Sequence, residues 1–106
     1  MGVPKVFVVQ KNSPIDVHQA ERFGDVEYVF GRGIFPDESG EDNVRRLVAH
    51  ARKKLNNFNH NDLLLLTGDS VLVSVCSCVL AKHRNSITVL KWDGMYGRYY
   101  PVTIKL

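Results

Sequence analysis

Asp62-Leu63-Leu64-Leu65-Leu66-Thr67-Gly68-Asp69-Ser70 runs directly into Val71-Leu72-Val73-Ser74-Val75-Cys76-Ser77-Cys78-Val79-Leu80. Four leucines with no polar alternation describe a strand covered on both faces, the habit of parallel sheets flanked by helices. Thr67-Gly68-Asp69 stops that strand, and Asp69-Ser70 is a ready N-cap for a helix over Val71 to Lys82. Valine content alone also suits a strand there, but the length and the absence of internal turn residues decide for a helix. The helix is apolar nearly all round. It must be buried on most sides or pack against another subunit.

Working back from the leucines, Ser39-Gly40-Glu41-Asp42 resembles a capping box with an acidic first turn. Val44, Leu47, Val48, Ala51, Leu55 and Phe58 then recur at helical spacing as one apolar stripe, with Arg45, Arg46, Arg52, Lys53 and Lys54 off it. Before this helix come a strand at Val26–Phe30, a Gly31-Arg32-Gly33 turn and a loop from Ile34 to Gly40. The first strand is Lys5–Gln10, ended by Lys11-Asn12-Ser13-Pro14. Ile15 to Phe23 holds one or two helical turns capped by Ser13 or Asp16 and closed by Gly24. Past the apolar helix, Ser86–Trp92 is a fourth strand, Asp93-Gly94-Met95-Tyr96-Gly97 a hairpin turn, and Arg98–Leu106 a fifth strand. In the fifth strand Tyr100, Val102, Ile104 and Leu106 alternate with Tyr99, Pro101, Thr103 and Lys105. The first set is expected to face the core, and Pro101 belongs on an edge.

This alternation predicts an α/β fold: a small three-layer, mostly parallel sheet of about five strands with two main helices and one short helix. The expected strand order is 2-1-3-4-5, the last strand antiparallel. The 106 residues make a single domain, 1–106, with 44% hydrophobic and 24% charged residues, as in ordinary globular proteins. No apolar run reaches the length of a membrane span, and Met1-Gly2-Val3-Pro4-Lys5 lacks signal-peptide order, so the chain reads as cytoplasmic with no membrane partner. Cys76 and Cys78 point about 200° apart on one helix and cannot bridge each other. Without partners at metal spacing they read as small apolar residues, and no metal or cofactor is assigned. The net charge of +3 permits an acidic or nucleic-acid partner without requiring one.

Three places merit weighing as sites. In the expected order Gln10, Asn12 and Ser13 face Thr67, Gly68, Asp69 and Ser70 across the strand ends, with Asp93 on the next loop. The free amides of the apolar helix suit an anion there, and Asp69 with Asp93 suits hydrated magnesium. Against this, Gly68 permits a tight turn, Asp69 serves as cap and repels phosphate, no Lys follows the Gly, and Asp93-Gly94 is ordinary hairpin chemistry. The basic face Arg45, Arg46, Arg52 and Lys53 can meet nucleic-acid phosphates, yet a helix burying one stripe shows charge on the other. The aromatic hairpin Trp92, Tyr96 and Tyr99 suits a protein interface or base stacking, or simply covers the sheet's end. His18, His50, His60 and His83 are scattered without a paired acid or nucleophile, and no catalytic residue is assigned.

Ala20-Glu21-Arg22-Phe23-Gly24-Asp25-Val26, Asp62 to Asp69, Val89-Leu90-Lys91-Trp92-Asp93 and Tyr99-Tyr100-Pro101-Val102 together resemble a group of small uncharacterised bacteriophage and prophage α/β proteins. In many of these a Pro follows the Thr-Gly-Asp; Ser70 stands there in this chain. The resemblance implies a phage origin and a host-cytoplasm setting, and marks no residue as catalytic. The expectation is therefore a non-catalytic protein-binding module whose partner is a host or phage protein, with a homodimer among the options. The alternative is a nucleotide- or nucleic-acid-binding protein using the crevice near Thr67–Ser70.

Overall fold

The computed structural model describes residues 3–11, 17–36 and 41–106. The strands are β1 (Lys5–Gln10), β2 (Asp25–Phe30), β3 (Leu63–Leu65), β4 (Ser86–Asp93) and β5 (Arg98–Lys105), and the helices are α1 (Val17–Glu21), α2 (Glu41–Lys54) and α3 (Ser70–Ala81). One sheet holds all five strands in the order β2-β1-β3-β4-β5. The first four are mutually parallel, and β5 returns antiparallel to β4.

Both faces of the sheet centre are covered, which is why β1 and β3 show no polar alternation. Phe7, Val9, Leu64 and Val89 pack against Leu47 and Ala51 of α2, Leu55 just past its end, and Leu72, Cys76 and Leu80 of α3. Val6, Val8, Leu65 and Leu90 point the other way, toward Ala20 of α1 and Tyr99. α2 and α3 both cross over between parallel strands on one face. They therefore run in the same direction and end together.

Two buried polar side chains tie the loops to this frame. The Asp62 carboxylate, ahead of the leucines, accepts from the Lys5 and Asn59 amides at 2.8 Å each, fixing the start of β3 beside the start of β1. Gln10, at the end of β1, does the same at the other end of the sheet. On the open edge of β2, His50 Nε2–H donates to the Val29 carbonyl at 2.6 Å while its ring lies 5.0 Å from that of Phe30.

β5 departs from expectation. Its apolar row is not core: Val102 is 38% and Ile104 45% exposed, while Tyr99 on the opposite row is buried. The two helices reach as far as β4 and leave the last strand uncovered on their side. Pro101 does sit on an edge, and its position is informative. Leu106 N–H donates to the Asn85 carbonyl at 2.7 Å. By two-residue alternation this makes Ile87/Ile104 and Val89/Val102 the bonded pairs. Leu90/Pro101 falls between them, so the missing N–H of Pro101 faces away from the sheet.

Candidate functional site

The strand-end crevice is closed from within. Gln10 is buried, its Oε1 accepting from the Asp69 amide at 2.9 Å and its Nε2 donating to the carbonyls of Ile34 (2.7 Å) and Gly31 (3.2 Å). Gly68 lies against it at a φ of +106°, where a Cβ would come within 2.4 Å of the Gln10 Cβ. Only glycine lets the turn approach so closely. The Asp69 carboxylate accepts from the amides of Val71 (2.8 Å) and Leu72 (3.3 Å), so two donors an anion needs at the start of α3 are already used. Asp93 is likewise turned inward on its own hairpin, accepting from the amides of Met95 (3.0 Å) and Tyr96 (3.3 Å). An open depression of about 390 Å³ remains outside Gln10 and Asp69, walled by Lys11, Arg32 and Phe35. Thr67 is half-buried and Ser70 exposed, while Asn12 and Ser13 lie outside the described residues.

The basic residues of α2 do not act together. Arg45 sits 3.6 Å from Glu41 and 3.8 Å from Asp42, a pairing of exposed side chains along the helix. Arg46 and Lys53 are exposed on the outer face. Arg52 instead lines a groove shared with α3. The aromatic hairpin also divides. Trp92 and Tyr96 are 43% and 70% exposed, while Tyr99 is buried and meets Trp92 edge-on at 4.8 Å. Arg98 lies over the Tyr96 ring at 5.4 Å.

The groove between α2 and α3 is a concave surface with a cavity volume of about 720 Å³. Its floor is apolar: Val48 from α2 and Leu55 just past its end, with Val71, Val75 and Val79 from α3. Arg52 and the segment Lys82-His83-Arg84 stand at the end where both helices finish. Arg84 is occupied, donating to the carbonyls of Leu80 (3.2 Å) and Phe58 (2.9 Å) with its guanidinium over the Phe58 ring. The two cysteines part company here. Cys76 is buried against the sheet, and burial pushes its thiol up to about 12. Cys78 is exposed in the groove rather than buried with it. Among the described residues no group of three or more His, Cys, Asp or Glu is placed to hold a metal ion, and no helix is long and apolar enough to cross a membrane.

The sequence model of the Phage Pam3 gp32-like protein family matches residues 4–106. The chain belongs to that family. The match takes in every strand and helix described above, so the fold and the groove fall within the family region, and the phage association of the chain rests on it. No curated protein and no solved structure gives a significant match.

Reading residues singly missed the groove. Its signal was present in the all-round apolar character of the Val71–Lys82 segment, which exceeds what one sheet face can cover.

Proposed function

We propose that this phage protein is a non-catalytic protein-binding module that works in the host cytoplasm through the groove between α2 and α3. The observation that carries the reading is the half-open flank of α3. Leu72, Cys76 and Leu80 are fully buried, yet Val71 on the other flank is 43% exposed and continues into the trough with Val75 and Val79. Single exposed apolar residues are ordinary, but a contiguous apolar trough on a small domain marks an interaction surface. The exposed Trp92, Met95 and Tyr96 add residue types favoured at interfaces. A nucleotide reading at Thr67–Ser70 has less support, because Asp69 and Gln10 already take the groups a phosphate would use.

The test is affinity capture from phage-infected cells with the wild type, with Val71→Glu, and with wild type alkylated at Cys78. Val71 is exposed in the first turn of α3, where an acid suits the helix dipole, so the variant keeps its fold. A protein retained by the wild type and lost from both altered forms is expected. Identical capture by all three refutes the groove as the working surface.

A further inference from the structure

The groove is polarised along its length, and this speaks to what lies in it. Toward the start of α3 its wall is Val71 and Ser74; toward the shared helix ends it is Arg52, Lys82 and His83. Among the described residues no acidic one lines it. Arg52 and Lys82 have no ion-pair partner among the described residues, whereas Arg45, one helix end away, is matched by Glu41 and Asp42. Part of this positive charge answers the negative ends of the α2 and α3 dipoles. The guanidinium and ammonium groups nevertheless stand at the rim of an apolar trough, which is the arrangement that selects an apolar stripe flanked by carboxylates.

We infer that the groove receives an amphipathic helix of a partner protein carrying acidic residues in its first turn, laid antiparallel to α2 and α3. The inference rests on the protein-binding reading above and adds the partner's chemistry and direction. Carboxylates in a first turn are favoured by the helix's own dipole, so they reach Arg52 and Lys82 at no conformational penalty. That orientation also sets the positive end of the incoming helix beside the two negative ends of α2 and α3. The 12 residues of α3 span roughly 18 Å, so about three turns fill the trough. A second copy of the chain is a poor occupant. Its acidic helical turn, Glu41 and Asp42, belongs to a helix whose apolar stripe is already buried against its own sheet.

The experiment uses fluorescein-labelled synthetic peptides of 14 residues with a leucine stripe at helical spacing. One has three glutamates in the first turn, one has them in the last turn, and one has lysines in place of the glutamates. Anisotropy titrations of the full chain should give at least tenfold tighter binding for the first peptide than for the other two, weakening with added salt. Arg52→Glu and Val71→Glu should each lower that affinity at least tenfold, and Lys105→Glu, an equal charge change on β5, should leave it within twofold. Equal affinity for the glutamate and lysine peptides, or no binding of the first-turn peptide, overturns the inference. So does preferential binding of duplex DNA or anionic phosphatidylserine vesicles that survives Val71→Glu. If peptide binding fails while capture from infected cells still depends on Val71, this partner class is wrong and the protein-binding reading stands. If capture is also indifferent to Val71, both fail.

Discussion

Replacing Gln10 should loosen three parts of the molecule at once. Its amide joins the end of β1 to the Gly31–Ile34 loop and to the turn that starts α3, through bonds of 3.2, 2.7 and 2.9 Å. A hydrogen bond contributes about 1 kcal/mol net, so Gln10→Ala removes about 3 kcal/mol if every partner is stranded. Gly31 and Ile34 are exposed, and their carbonyls can turn to water. About 1 kcal/mol then remains, that of the bond to the Asp69 amide, roughly 5 °C in Tm for a domain of this size. Urea unfolding followed by circular dichroism measures it, with the m-value unchanged. A loss below about 0.5 kcal/mol, the level of an ordinary surface substitution, refutes the role assigned to this side chain. Gln10→Glu sharpens the test. A carboxylate there faces two carbonyl oxygens, so the folded state prefers the neutral acid and holds its pKa above the unfolded value of about 4.3. Stability is then fullest below about pH 4.3 and lost as pH rises through the folded pKa. The variant should be weaker than Gln10→Ala at pH 7 and recover on acidification. A flat pH difference between the two counts against the geometry.

Gly68→Ala should cost more than Gln10→Ala, about 3 kcal/mol, because the new methyl meets Gln10 at a backbone angle that L-residues avoid. Unfolding the double variant with Gln10→Ala should leave most of that loss in place, since alanine keeps the Cβ that the new methyl strikes and the backbone strain at residue 68 persists. Asp62→Ala strands the amides of Lys5 and Asn59 at the start of the sheet, and a loss of about 2 kcal/mol in the same unfolding assay is expected. A thiol-reactive chromophore should label one cysteine quickly in the native protein, Cys78, and reach Cys76 only when the chain unfolds, because Cys76 is buried with its thiol pushed up to about 12. Rapid labelling of two thiols in the native state would contradict the packing of α3.

The order of elements and strands could be read from the chain because each depends on local signals: the unbroken leucines, the stripe of α2, the Asp69 cap and the Asp93–Gly97 turn. What escaped depends on how far one element reaches over another. The alternation in β5 correctly separates Val102 and Ile104 from Tyr99 and Thr103. Which row is covered is settled only by where α3 lies, and that left the aliphatic row open and Tyr99 enclosed. Gln10 was legible as a neighbour of the crevice. That its amide would bond to a residue 59 positions away, and so occupy the crevice it borders, is a matter of packing. Arg52 looked like its neighbours on α2, and only the approach of α3 gives it a different task from Arg46 or Lys53.

Pro101 has a consequence for how this sheet meets other chains at high concentration. An open strand edge is a template on which further strands can grow, one chain after another, into fibres. At Pro101 that template has a gap: an arriving strand would find a carbonyl at mid-edge but no donor beside it, and the Lys105 ammonium further along. Sheet growth is self-limiting at that edge. The protein can thus leave the aliphatic side chains of its last strand exposed and still accumulate without polymerising through them.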